Sequence, residues 1–284
     1  MTSIPITPAK GITTVNPNQA LWEKGDFTRI AETMRESGAA FVDTLGVVPG
    51  MNVLDLGCGD GTTALPAAER GARVLGIDIA RNLVEAGNRR AGACGLANCT
   101  FRQGDATHLE GVADRSFDLV VSVFGAMFAP RPLDVAREMV RVTRRGGRIV
   151  MGNWIPRDKM LVSRILEISA AFSPPPPEGF VSPMRWGVEA DVLERFTAAG
   201  VPAANVAFAR DTYTFTFRGS PAQFVALFRR TYGPTMNAFE AAEASGRTAE
   251  LARELEALFA AQNRSERPDL TVIPAGFLRV TVTL

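Results

Sequence analysis

Histidine is nearly missing from this chain. His108 is the only one in 284 residues, so no catalytic constellation can be built around several imidazoles. Cysteine is scarce too. Cys58, Cys94 and Cys99 are odd in number and lack CxxC spacing, which argues against a disulfide framework and a zinc knuckle. Free thiols and no bound metal are expected. Lysine is confined to Lys10, Lys24 and Lys159, and codon usage explains the arginine bias more simply than special arginine chemistry. Positive charge is not in excess: the net charge is +1, and no basic cluster is interleaved with aromatics. That leaves little attraction to nucleic acid or anionic lipid. A long hydrophobic run is missing as well. The longest, Leu119 to Pro130, falls short of the roughly 20 residues of a spanning helix. The opening MTSIPITPAKGITT places Pro and Lys where a secretory signal would have its apolar core. These absences point to a cytoplasmic protein, not inserted in a membrane, whose partner is a small molecule.

Apolar material for a large core is present, with 46% hydrophobic residues against 21% charged. Between about residues 50 and 153, short apolar runs alternate with amphipathic segments. NVLDLG (52–57), RVLGID (73–78), CTFRQGD (99–105), FDLVVSVF (117–124) and GRIVMGNW (147–154) have the length and β-branching of buried parallel strands. LDVAREMVRVTRRGG reads as a helix with Val135, Met139 and Val142 on its apolar face. Arg144 and Arg145 suit its C-terminal end, and Gly146 and Gly147 stop it. Strands alternating with helices predict right-handed βαβ units and a parallel sheet covered on both faces. After Trp154 the pattern changes. SPPPPEGFVSPMRWG (173–187) predicts a stiff irregular loop, and VEADVLERFTAAG a helix capped by Gly200. TYTFTF (212–217) and FLRVTVTL at the end alternate with period two as half-buried strands. Between them Ser220 and Pro221 start a helix, and Leu251, Leu255, Leu258 and Phe259 form an apolar stripe on a second.

The chemistry concentrates in VLDLGCGDGTTALPAAERGARVLGID, Val53 to Asp78. The first strand ends at Leu56, and Gly57, Cys58, Gly59, Asp60 and Gly61 turn into the next helix, where glycines let the backbone approach a ligand lying across the strand ends. Asp78 closes the second strand, where a carboxylate can accept from both hydroxyls of a ribose. A dinucleotide and another adenosine-containing cofactor both satisfy that much. The spacing separates them: the loop reads G-x-G-x-G, with Thr62 where a dinucleotide fingerprint wants its third glycine or alanine, and Pro66 falls near the first turn of the helix. At the end of the third strand, Asp105 could take the amino group of an adenine.

VLDLGCGDGTT, LGIDIA, FRQGDATHL, FDLVVSVFGAMF and VRVTRRGGRIVMGNW occur in the order and spacing of class I S-adenosylmethionine-dependent methyltransferases, which the chain resembles across residues 50–155. It looks closest to the branch that includes quinone-biosynthesis C-methyltransferases, and WEKGDFTRIA (22–31) is similar to the N-terminal cap of that branch. The resemblance implies a Rossmann-like, doubly wound, seven-stranded α/β sheet, mostly parallel with the last strand antiparallel. Its parts would be a cap (1–48), a cofactor-binding core (49–155), a Pro-rich lid (156–187) and a C-terminal part (188–284) with a helical insertion (219–267). It also implies that Asp55, Gly57, Cys58 and Gly59 border the methionine end of the cofactor. Asp78 would bind the ribose, Ile79 would pack on the adenine, Asp105 and Ala106 would read the adenine edge, and Ser122 and Val123 would lie beside the sulfonium.

Displacement at a sulfonium needs positioning and desolvation more than acid–base groups. His108 is an attractive base for O-methylation, but its position favours a surface role. Tyr213 and Tyr232 are further polar candidates in the variable half. Phe124, Met127, Phe128, Trp154, Met160, Phe172, Phe180, Met184 and Trp186 cluster in segments expected to cover an apolar or aromatic small acceptor. Three other readings compete: an arsenite methyltransferase using the cysteines, an NAD-dependent oxidoreductase, and a non-catalytic protein that keeps the fold as a binding module. The insertion serves equally as lid or as the contact of a homodimer.

Overall fold

The computed structural model describes residues 17–176 and 178–284. The secretory-signal reading of residues 1–14 and Pro177 of the Pro-rich stretch lie outside them. The five predicted core runs become β1 (Asn52–Leu56), β2 (Arg73–Asp78), β3 (Cys99–Gln103), β4 (Phe117–Val123) and β5 (Thr143–Trp154). Two further strands, β6 (Val206–Phe217) and β7 (Thr271–Thr283), complete a seven-stranded sheet of order β3-β2-β1-β4-β5-β7-β6. The pairs from β3 to β5 are parallel, and β7 runs antiparallel to both its neighbours. β1 and β4 are almost wholly buried, as strands covered on both faces must be.

Helices α1 (Pro17–Glu23), α2 (Phe27–Glu32) and α3 (Arg35–Asp43) precede the sheet. Its crossovers carry α4 (Ala64–Glu69), α5 (Arg81–Ala93), α6 (Pro132–Val142), α7 (Leu161–Phe172) and α8 (Glu189–Ala198). The insertion consists of α9 (Pro221–Thr231), α10 (Gly233–Ala244) and α11 (Thr248–Gln262). Ser220 starts α9 in a capping box with Gln223, with Pro221 in the first turn. The α11 stripe buries Leu251, Leu255 and Phe259 against α9 and α7. No helix among the described residues is long and apolar enough to cross a membrane.

The predicted end of α6 is corrected. Arg144, Arg145, Gly146 and Gly147 do not finish the helix but open β5. The helix stops at Val142 because the buried Thr143 turns extended and its hydroxyl donates to the Met139 carbonyl at 2.6 Å. The last residue of β7's segment then captures the glycines: Leu284 N–H donates to the Gly147 carbonyl at 3.0 Å and its carbonyl accepts from Gly146 N–H. Helix α7 is buried and ends at Phe172, just before the Pro-rich stretch read as an irregular loop.

β6 is an edge strand, and the cap covers its free edge. Thr216 N–H donates to the Thr33 carbonyl at 2.8 Å, while the Ser37 hydroxyl accepts from Thr214 N–H and donates to the Thr214 carbonyl. The cap is tied to the insertion as well. Asp26 N–H donates to the Thr231 carbonyl at 3.1 Å, and Lys24 reaches Asn237 and Glu240 at 2.5 and 2.7 Å.

Candidate active site

A cavity opens at the carboxyl ends of β1, β2 and β4. Its floor is the glycine turn. Gly57 has a φ of +68°, and the turn touches the loop after β4 backbone to backbone: a Cβ on Gly125 would lie 2.1 Å from the Gly57 carbonyl oxygen. No side chain fits between them. Ser122 fixes this contact, its hydroxyl donating to the Leu56 carbonyl at 2.6 Å and accepting from Ala126 N–H at 3.0 Å.

Carboxylates line the same wall. Asp78 accepts from Gly59 N–H at 2.8 Å and from Ala80 N–H at 2.9 Å, which draws the glycine turn against the end of β2. Burial raises its pKa above the ordinary carboxylate range despite these bonds. Asp55, 2% exposed, is pushed up to about 8 by burial and then by the nearby Asp78 charge, and its Oδ2 makes no hydrogen bond among the described residues. Asp60 is instead paired with Arg35 of α3, which also donates to Thr62, and with Arg90 at 3.6 Å. Burial drives the Cys58 thiol far up, so it stays neutral and inert.

Aromatic side chains make the opposite wall. Phe124 stands at the end of β4 with a φ of +60°, a conformation that costs energy in a non-glycine residue, and its ring stacks on Trp154 at 3.5 Å and 9°. Trp22 and Phe27 cover the cavity from the cap, edge to face at 5.6 Å, with Ala31 and Met34 beside them. Tyr213 reaches the cavity from β6. A pyrophosphate laid on this floor would face Asp55 and Asp78 with no arginine paired to either among the described residues. A cationic, phosphate-free ligand suits that field.

A protein family described as a methyltransferase domain matches residues 54–151, the stretch from β1 to β5. An uncharacterized protein of Mycobacterium tuberculosis is 32% identical over 223 residues, covering 78% of this chain and 79% of that one. The demethylmenaquinone methyltransferase of Renibacterium salmoninarum is 38% identical over 113 residues, 40% of this chain and 45% of that one. In fold, the chain is similar to the YcgJ protein of Bacillus subtilis, with a TM-score of 0.56, 20% identity, and 87% and 98% of the two chains covered. It is also similar to a Haemonchus contortus phosphoethanolamine N-methyltransferase solved with S-adenosyl-L-methionine, with a TM-score of 0.54, 16% identity, and 87% and 52% covered. The chain belongs to the class I S-adenosylmethionine-dependent methyltransferases. Its cofactor is S-adenosylmethionine. The residues present suit this phosphate-free cation: an unpartnered buried carboxyl oxygen on Asp55 and a second carboxylate at the end of β2.

In this methyltransferase the cavity wall includes Asp55, Gly57, Cys58, Gly59, Asp78, Ile79, Asp105, Ala106 and Val123, nine of the residues predicted for the cofactor. Ser122 lies behind it, engaged with Leu56 and Ala126. Of the residues predicted for the acceptor, Phe124 alone reaches the wall. Trp154 sits behind Phe124, Phe128 behind Trp22 at 4.9 Å, and Met127 in the core. Phe180 is 55% exposed in the Pro-rich segment, and Trp186 packs on Phe196 under the Arg195 guanidinium, on α8. Among the described residues, none of 156–187 lines the wall, and Trp22, Phe27, Ala31 and Met34 line it from the N-terminal helices. His108 is exposed: Thr107 N–H and hydroxyl fold onto Asp105, and the turn carries His108 outward. Tyr232 packs against Phe228 and Trp22, off the wall. Trp22 and Phe27 lay within the segment read as a cap. Met34 and Thr63 also line the wall without a signal in the sequence reading, and Thr62 enters that reading only through its spacing after the glycine loop.

Proposed function

We propose that this methyltransferase acts on a small apolar or aromatic acceptor seated against Trp22, Phe27 and Phe124. The cofactor supplies a methyl group on a sulfonium, already a good leaving group, so the chain's work is positioning and exclusion of water. In this reading Asp78 receives the ribose hydroxyls, Asp105 and Ala106 receive the adenine edge, and the Gly57–Gly59 backbone borders the amino-acid end. Phe124 holds the acceptor beside the carboxyl end of β4, its strained backbone supported by the ring stack on Trp154. The observation that carries the acceptor class is the aromatic wall, since flat apolar rings desolvate a flat apolar acceptor at little entropic cost. Among the described residues no three His, Cys, Asp or Glu side chains are grouped to hold a metal, and Cys94 is exposed while Cys58 and Cys99 are buried. The test is turnover with S-adenosylmethionine across aromatic phenols, quinols and aliphatic amines. Aromatic turnover weakened at least about tenfold by Trp22→Ala supports the reading, with each 1.4 kcal/mol of lost contact giving that factor. Turnover confined to aliphatic amines, indifferent to Trp22→Ala, refutes it.

A further inference from the structure

Two polar atoms on the cavity wall have no hydrogen-bond partner among the described residues: Asp55 Oδ2 and the Tyr213 hydroxyl. Tyr213 is 1% exposed, and leaving a buried hydroxyl unpaired costs about 1–3 kcal/mol. The sheet puts both residues on one face. Asp55 pairs with Val121 and Val121 with Val150; four residues on in β5, Trp154 pairs with Phe277, and two before that, Ala275 pairs with Tyr213. Phe124 and Phe277 hold the tyrosine ring edge-on at 5.1 and 6.1 Å. Its hydroxyl lies beside the glycine turn: a Cβ on Gly38 would stand 2.9 Å from that oxygen and 2.6 Å from the Thr62 carbonyl. Thr62 also receives the Arg35 guanidinium, so the phenol end sits in a positive field while Asp55 supplies a negative one.

We propose that the Tyr213 hydroxyl donates to the carboxylate of the cofactor's α-amino acid, across from Asp55, which the family resemblance already sets at the amino-acid end where it can accept from the ammonium. This rests on the reading of the cavity as the cofactor site. The pairing matches a zwitterion, one charge to each unpartnered atom. Burial and the nearby Asp55 hold the phenol protonated, as a donor must be.

Isothermal titration of the full chain tests it with three ligands: S-adenosylhomocysteine, decarboxylated S-adenosylmethionine, and 5′-methylthioadenosine, which lacks the amino acid altogether. Tyr213→Phe is expected to weaken S-adenosylhomocysteine about 10- to 100-fold, the worth of a hydrogen bond to a charged group, and to leave the other two within about twofold. Asp55→Asn is expected to weaken S-adenosylhomocysteine and the decarboxylated ligand, sparing methylthioadenosine. Unchanged S-adenosylhomocysteine affinity in Tyr213→Phe would overturn the assignment, as would equal weakening of all three ligands, the mark of a packing role. Wild-type protein binding none of them would overturn the cofactor site itself, and this assignment with it.

Discussion

Asp55 is a carboxyl whose favoured state in the ligand-free protein is neutral. Burial and Asp78 raise its pKa from 3.8 to about 8, so the sign of its linkage is opposite to that of a salt-bridged aspartate. The stability it allows is complete below the unfolded pKa and is lost as pH rises through the folded one. Ligand-free protein should therefore melt at lower temperature near about pH 8.5 than near about pH 6, and Asp55→Asn should flatten the difference. Equal slopes in the two proteins by scanning calorimetry would contradict this. A second expectation concerns Gly125. A Cβ there meets the Gly57 carbonyl oxygen at 2.1 Å, a backbone atom that can yield only by moving the glycine turn. Gly125→Ala should cost about 1–3 kcal/mol in denaturant unfolding and should also lower S-adenosylhomocysteine affinity. Stability lost with affinity intact would show that the turn had not moved.

At the scale of elements, α3 is held on the glycine turn by the Arg35–Asp60 pair, with Asp60 only 2% exposed. Arg35→Met leaves that carboxylate with Arg90 alone and should destabilise the fold by about 3 kcal/mol. The double variant with Asp60→Asn should recover part of the loss, and a double no more stable than Arg35→Met would show that the charge was not the cause. How much of this was legible in the sequence follows from how local each signal is. The glycine turn, the aspartates ending β1 and β2, and the runs that became the core strands are determined by residues within one βαβ unit. The end of α6 was misread because its Arg–Arg–Gly–Gly signal is local, whereas pairing with Phe117 and the end of the chain decides the outcome. Tyr213 could be located in a strand but not in a site, because its place beside Thr62 depends on the pairing of β6 with β7. Aromatics after β4 and β5 are the ones the sequence offers for the pocket, yet two of the four on the wall, Trp22 and Phe27, come from α1 and α2, and periodicity carries no record of which helix crosses a strand end.

On the scale of the whole molecule, the insertion acts on the site through the cap. Phe224, Phe228 and Phe259 pack edge to face at 5.1–5.3 Å and join α9 to α11; α9 holds Thr231 against Asp26, and α10, packed on both helices, holds Glu240 against Lys24. Phe259→Ala removes a fully buried ring and should cost about 3–5 kcal/mol. Loosening is then transmitted to Trp22 and Phe27, so KM for the acceptor should rise before S-adenosylhomocysteine binding fails, as steady-state kinetics and titration on the same preparation would show. Simultaneous loss of both would mean that the insertion stabilises only the core.

The ties between the cap and the rest of the chain also set an order of events during synthesis. Ser37 waits for Thr214, 177 residues later, and Lys24 for Glu240, 216 residues later. The strand that carries Tyr213 is itself held in the sheet by β7, which is synthesised after it. A nascent chain emerging amino end first can form β1 to β5 and the glycine turn long before anything is able to close over them. Ribosome-bound intermediates lacking β7 would thus present an open, low-affinity floor, and the capacity to sequester the methyl donor would arrive abruptly once that strand pairs.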